Sequence, residues 1–338
     1  MKRLLAVFTA ITLFAAAGAK NVMGQQSAAE FYKGERITFI VPYLPGGGYD
    51  AYARLMAPYL KQYTGSTVIV KNKPGGGGAV GANIIYRANP DGKTIGILNM
   101  TGAIPAQIAG AEGIDFDLTK FNWLTRINKE PQVFVVNAKS KYNSWDDILK
   151  SKETIKLSAT GTVGSTYFDL LVLKLVFNLQ NFDIISGFSG TSDADLAILR
   201  GDVEGSASSV SSKISKIAEG NFKALLVIAP ERIQELPNVP NIYDFKMSDE
   251  GKAVTDTYIS MMEVARAMMT TPGVPADRVA FLRDALKKTL TNPKLLKQTA
   301  KMQRPVDYLE GEKVLDFIKI SINKAPTLFV QELKKVLK

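Results

Sequence analysis

The chain has 338 residues, 46% of them apolar, enough for two domains with real cores, and a formal net charge of +10. It contains no cysteine and no histidine, which removes thiol nucleophiles, Cys/His metal clusters, Ser-His-Asp triads and histidine general bases together. The positive balance suits acidic partners: small anions, nucleic acid or an anionic surface.

Residues 1–19 read as an export signal. Lys2 and Arg3 form a positive start, residues 4–17 an apolar stretch too short to span a bilayer, and Ala17-Gly-Ala19 a small-residue cleavage site. The signal could extend to about residue 29. Cleavage after Ala19 leaves 40 basic against 32 acidic residues. The expected product is periplasmic, without a lipid anchor because no cysteine follows, and export argues against nucleic acid as a partner.

Residues 37–41 predict a short strand of β-branched and aromatic residues, ended by Pro42-Tyr-Leu-Pro-Gly-Gly-Gly-Tyr-Asp50. Asp50 stands where the N-cap of a helix over 51–63 belongs, with Pro58 expected to kink that helix and Gly65 to end it. A strand, a glycine loop and a helix start expose backbone N–H groups to an anion, although the same pattern also makes an ordinary turn. Strand 67–71, glycine loop 74–78, helix 79–88 and strand 94–99 repeat the theme, with Thr101 in a loop after the last strand. Such alternation predicts a mostly parallel sheet with loops at the carboxyl ends of its strands.

Residues 123–136 read as extended chain crossing to a second unit. There a capped helix at 144–150 and a strand at 155–159 precede Thr160-Gly-Thr-Val-Gly-Ser-Thr166 and a helix over 167–177. Strand 182–185 runs into the polar loop 186–193, helix 195–200 follows, and 203–210 is a small-residue segment with Ser206, Ser208 and Ser209. After strand 224–229 comes a rigid Leu-Pro-Asn-Val-Pro loop at 236–240. Residues 258–269 are expected to be extended or mixed, their methionines packed in the core. Helices at 276–291 and 311–320 and at the C-terminus return to the first unit.

Several segments, in order, resemble one family. They are Pro42-Tyr-Leu-Pro-Gly-Gly-Gly-Tyr-Asp50 with Ala53-Arg54, Val68-Ile-Val-Lys-Asn-Lys-Pro-Gly-Gly-Gly-Gly78, and Ala88-Asn-Pro-Asp-Gly-Lys-Thr-Ile95. Gly187-Phe-Ser-Gly190, Leu196-Ala-Ile-Leu-Arg-Gly-Asp-Val203 and Thr271-Pro-Gly-Val-Pro-Ala-Asp-Arg278 continue the series. Together they resemble the solute-binding proteins of tripartite tricarboxylate transporters, the Bug-type receptors. The resemblance implies an α/β, two-lobed periplasmic-binding-protein-like fold (type II), each lobe a mostly parallel sheet flanked by helices. Lobe 1 would comprise 30–133 and 262–338, and lobe 2 134–261. It also implies capture of a small organic acid in the interlobe cleft, delivery to membrane permease subunits, and a monomer. Tyr43, Leu44 and Tyr49 make the first loop bulkier than is usual in the family, and Glu204 replaces its usual aspartate.

On this reading backbone N–H groups of Gly46, Gly47, Gly48 and Tyr49 hold one carboxylate. Thr162, Gly164, Ser165 and Thr166 hold a second group from the other lobe, with Thr101, Ser189 and Thr191 as supplementary donors. Asp50 is either a helix cap or a ligand contact that would select an amine. A Gly164→Asp change is expected to abolish binding without affecting the fold. No catalytic residue, cofactor or metal is implied. The other readings are a receptor serving a different transporter or a sensor, and an enzyme on a phosphorylated substrate. The last lacks a Gly-Lys-Ser/Thr after either glycine loop.

Overall fold

The computed structural model describes residues 26–161 and 164–336, so the expected export signal and Thr162 lie outside the described residues. The first stretch comprises α1 (Ala28–Tyr32), β1 (Arg36–Val41), α2 (Gly48–Thr64), β2 (Thr67–Asn72), α3 (Ala79–Tyr86), β3 (Thr94–Asn99), α4 (Met100–Ala109) and β4 (Asn122–Asn128). The middle comprises β5 (Gln132–Asn137), α5 (Trp145–Lys150), β6 (Ile155–Thr160), α6 (Ser165–Val176), β7 (Phe182–Phe188), α7 (Thr191–Arg200), β8 (Gly205–Ser209), α8 (Val210–Ala218), β9 (Phe222–Ile228) and α9 (Asp249–Met261). The last comprises β10 (Arg266–Thr270), α10 (Ala276–Leu290), α11 (Pro293–Lys301), β11 (Leu309–Glu310), α12 (Gly311–Asn323) and α13 (Thr327–Val336).

Two sheets result, one per lobe, in the orders β11-β4-β10-β3-β1-β2 and β7-β6-β8-β5-β9. Apart from the short edge strand β11 they share one topology. A second, first and third strand lie side by side, then a returning strand, then a fourth. The returning strands β10 and β5 run antiparallel to both neighbours, while β1 pairs β2 and β3, and β6 pairs β7 and β8, in parallel. Each returning strand enters its sheet from the other lobe, so the chain crosses twice, at 129–131 and at 262–265. The two-lobed α/β fold expected from the sequence is therefore present.

Period-two side-chain alternation explains the layering. In β1, Ile37, Phe39 and Val41 pack under α2 and α10, while Ile40 joins the opposite face. In β5, Val133 and Val135 pack beside α7 and α8, while Phe134 and Val136 join that same opposite core. One apolar cluster thus runs from the first sheet to the second, and α4 packs on α6 within it. All four methionines of the 258–269 run, Met261, Met262, Met268 and Met269, are buried as expected.

Several elements differ from expectation. Residues 101–103, expected as a loop, lie in the first turn of a helix, α4. Every side chain from Met100 to Ala106 is buried, and a helix enclosed on all sides is held by packing despite Gly102 and Pro105. Residues 258–261 finish helix α9, and extended chain begins only at Arg266. Helices α8 and α11 were not anticipated. Pro58 lies inside one continuous helix, α2; it is exposed, so the carbonyl its missing N–H strands faces water.

Candidate functional site

The two glycine/hydroxyl loops expected to form a site do meet. A narrow cavity between the lobes is lined by Tyr43, Leu44, Gly47, Gly48, Tyr49 and Asn99 from the first lobe. From the second it is lined by Thr160, Gly164, Ser165, Thr166, Thr191, Ser208, Ser209 and Ser212. The helices that open onto it are α2, α4, α6, α7 and α8, with N-caps Gly47, Asn99, Gly164, Gly190 and Ser209. None of these caps accepts a side-chain hydrogen bond from a backbone N–H of its helix; Asn99 Oδ1 and Ser209 Oγ instead bond the hydroxyls of Thr101 and Ser212. By contrast Ser27, Ser144, Ser248 and Asn292 cap α1, α5, α9 and α11 with their side chains. Helices α10 and α12, away from the cavity, lack such caps too, so it is convergence that distinguishes the five. Their first-turn N–H groups carry the positive end of each dipole. The Met100 N–H already donates to the Ala265 carbonyl, the Val210 N–H to the Pro131 carbonyl and the Ser211 N–H to Glu130 Oε1, so the donors left open are those of α2, α6 and α7.

Asp50 is not the N-cap. That position falls to Gly47, and Asp50 is the third residue of α2. Its carboxylate is 4% exposed and accepts from the Gly46 N–H at 3.0 Å, from Arg54 Nε at 2.9 Å and from Asn72 Nδ2 at 2.9 Å. Burial disfavours its charge, but the Arg54, Gly46 and Asn72 bonds outweigh this and hold it below the usual carboxylate range. It is not among the cavity-lining residues, so an amine-selecting contact is not what the geometry offers. Asp50 instead fixes the bend of the 42–48 loop.

The other expected site residues divide. Gly47, Gly48, Tyr49, Gly164, Ser165, Thr166 and Thr191 line the cavity. Gly46 lies just behind, its N–H taken by Asp50. Thr101 is fully buried and donates to Asn99 Oδ1 at 2.6 Å, while Asn99 Nδ2 donates across the cleft to Ser165 Oγ at 2.7 Å. Thr101 therefore orients Asn99 rather than facing the cavity. Ser189 is exposed and outside it, its N–H donating to Asp193. Asn99, Thr160, Ser208, Ser209 and Ser212 also line the cavity without having been named as candidates. Thr160 opens the loop 160–166 already singled out, Ser208 and Ser209 lie in the small-residue run 203–210, and Asn99 and Ser212 left no signal. A Cβ on Gly164 would lie 1.8 Å from Thr160 Oγ1, so Gly164→Asp would disrupt its own loop. That change therefore moves the loop as well as the ligand contacts and does not isolate them.

In this structure the cleft is shut. The cavity measures about 20 Å³, room for about one water. Tyr43 and Tyr49, the bulky departures in the first loop, are buried, with ring centroids 4.6 Å apart, and neither hydroxyl has a partner among the described residues. Burial pushes both phenols above their usual range. Across the cleft, a Cβ on Gly161 would lie 2.5 Å from Gly76 C and Gly77 N. The four-glycine loop of one lobe thus packs backbone to backbone on the glycine loop of the other.

Residues 52–333 match the family model described as the tripartite tricarboxylate transporter family receptor. The chain belongs to that family. It is 28% identical over 210 residues to a UPF0065 protein from the tcbD-tcbE intergenic region of Pseudomonas sp. strain P51, a match spanning 61% of this chain and 62% of that protein. It is 27% identical over 221 residues to BugT of Bordetella pertussis, covering 64% and 67%. Among solved structures it resembles the periplasmic binding protein BugD, with a TM-score of 0.73, 21% identity and coverage of 90% and 98%. It also resembles MatC of Rhodopseudomonas palustris with bound malate, with a TM-score of 0.73, 19% identity and coverage of 90% and 99%. R. palustris Rpa4515 with adipate gives a TM-score of 0.72, 16% identity and coverage of 88% and 97%. These likenesses establish a two-lobed periplasmic-binding-protein fold. No helix among the described residues is long and apolar enough to cross a membrane.

Proposed function

We propose that this chain is an exported solute receptor that captures a small dicarboxylate between its lobes and passes it to the membrane permease of a tripartite transporter. The observation that carries this reading is the convergence of the N-termini of α2, α6 and α7, each started by a glycine with no side-chain cap, on one interlobe cavity rimmed by serine and threonine hydroxyls. First-turn N–H groups, with the hydroxyls of Ser165, Thr166, Thr191, Ser208, Ser209 and Ser212, can hold carboxylates without burying a lysine. No lining residue titrates near neutrality, which favours a binder over an enzyme. Two structural neighbours hold dicarboxylates, malate and adipate, in keeping with this.

A cavity of about 20 Å³ is too small for a dicarboxylate, so the lobes part to admit it, turning about the crossings at 129–131 and 262–265. The lobes are then 30–133 with 262–338, and 134–261. The basic and apolar residues before Ala19 direct export, and the positive surface steers the anion to the cleft. Thermal unfolding with malate, succinate, adipate, citrate and amino acids tests the reading. A dicarboxylate at a hundred times its Kd stabilises the fold by about 2.7 kcal/mol, visible as a rise of several degrees. Unchanged melting with every di- and tricarboxylate at millimolar concentration contradicts it.

A further inference from the structure

Strand β10 carries one charged side chain, Arg266, and it is fully buried. Its guanidinium carbon lies 4.2 Å from the Tyr49 ring centre and 4.4 Å from that of Tyr52. Nη2 is 3.0 Å from Glu130 Oε2 and donates to Ser211 Oγ at 3.2 Å. Nε and Nη1 have no partner among the described residues. Arg304 stands beside it, with Nη1 donating to the Ser211 carbonyl at 2.9 Å and Nε unpartnered. Glu130 also accepts from the Ser211 N–H at 3.1 Å. Two guanidiniums thus face one carboxylate, leaving the cluster one positive charge in excess. Burial and the Arg266 charge together hold Arg304 below its usual range, as an uncompensated pair requires.

The cluster lies immediately behind the cavity wall. A Cβ on Gly48 would be 3.4 Å from Arg266 Nη2, 3.5 Å from Arg304 Nη1 and 2.6 Å from Ser212 Oγ. Gly48 and Ser212 both line the cavity. Only a glycine's thickness separates the excess charge from the ligand space. A staple between the lobes would explain the bonds to Ser211. It would not explain buried N–H groups left without acceptors beside an unbalanced charge.

We infer that Arg266 and Arg304 set the ligand charge this receptor accepts, selecting a dianion over a monoanion of the same shape. They act through the field across Gly48 rather than by touching the ligand. This rests on the carboxylate-capture reading. Titration calorimetry with succinate and its monoamide, succinamate, on the full chain tests it. Arg266→Gln breaks a fully buried ion pair and endangers the fold, so Arg304→Gln, at a partly exposed position, carries the test. Expected in that variant is an about tenfold loss of succinate affinity against an about threefold loss for succinamate, since a field acts in proportion to ligand charge. Arg304→Lys should restore the preference. Equal losses for both ligands, or an unchanged ratio, overturn the inference while leaving the receptor reading intact. Should the parent chain bind neither probe, the dicarboxylate that stabilises it and that acid's monoamide take their place; if no dicarboxylate binds, the receptor reading falls and takes this inference with it.

Discussion

At the scale of single residues, the carboxylates illustrate how environment decides role. Asp50 is saturated with donors and stabilises the loop in its ionised form. Asp169, fully buried in α6 directly below the site, is the opposite case. Its Oδ1 accepts from Tyr258 at 2.8 Å, and Oδ2 has no partner among the described residues. Burial pushes its pKa well above the usual value, and the Tyr258 bond only partly offsets this. The native state therefore keeps a proton that the unfolded chain releases near about pH 4. The associated stability is complete below that pH and is lost as pH rises toward the folded-state value. Asp169→Asn, which stays neutral, is expected to raise stability at about pH 8 by ~1 kcal/mol and to change it little near pH 4. Denaturant melts at the two pH values check this; destabilisation at the higher pH would refute it. None of this was legible in the sequence, where Asp169 looks like any carboxylate on an amphipathic helix. Arg266 did leave a trace, a lone charge inside an apolar strand, but the partners that give it meaning come from distant segments, 49–52, 130, 211 and 304.

At the scale of elements, the glycine loops were legible as features and misread in part. Both resemble anion cradles in sequence, because glycine run and helix start look alike whether the backbone meets a ligand or another backbone. The 42–48 loop lines the cavity. The 74–78 loop instead provides the surface on which the second lobe closes. Gly161 tests this cleanly. Its own backbone is not left-handed, and the nearest atoms to an added Cβ, at 2.5 to 2.7 Å, all belong to Gly76 and Gly77. Gly161→Ala is expected to leave stability within about 0.5 kcal/mol while lowering dicarboxylate affinity at least about tenfold, since the closed state becomes scarce. Urea unfolding and calorimetry separate the two effects, and an unaltered affinity would remove the latch role. Strand and helix positions were mostly readable from periodicity. The exceptions include α8 and α11, which were not anticipated, and α4, whose Gly102 and Pro105 argue against a helix that burial enforces.

At the scale of the whole molecule, the two sheets share one strand order, and each borrows its returning strand from the other lobe's side of a crossing. That exchange makes the crossings the natural place for bending, with the cavity walled by strand ends and helix starts on both sides. The sequence suggested this shape through repeated strand–loop–helix units and the family resemblance, while the degree of closure depends on contacts between segments far apart in the chain. Because the chain has no cysteine, spin labels can be placed without background. Val80→Cys on α3 and Leu196→Cys on α7 put one label on each lobe at positions 45% and 54% exposed. The most direct measurement is the distance between these labels by pulsed electron resonance as succinate is added. Expected is a broad distribution that narrows and shifts to the short, closed distance as the ligand saturates. Saturable binding with an unchanged distance distribution would contradict capture between closing lobes.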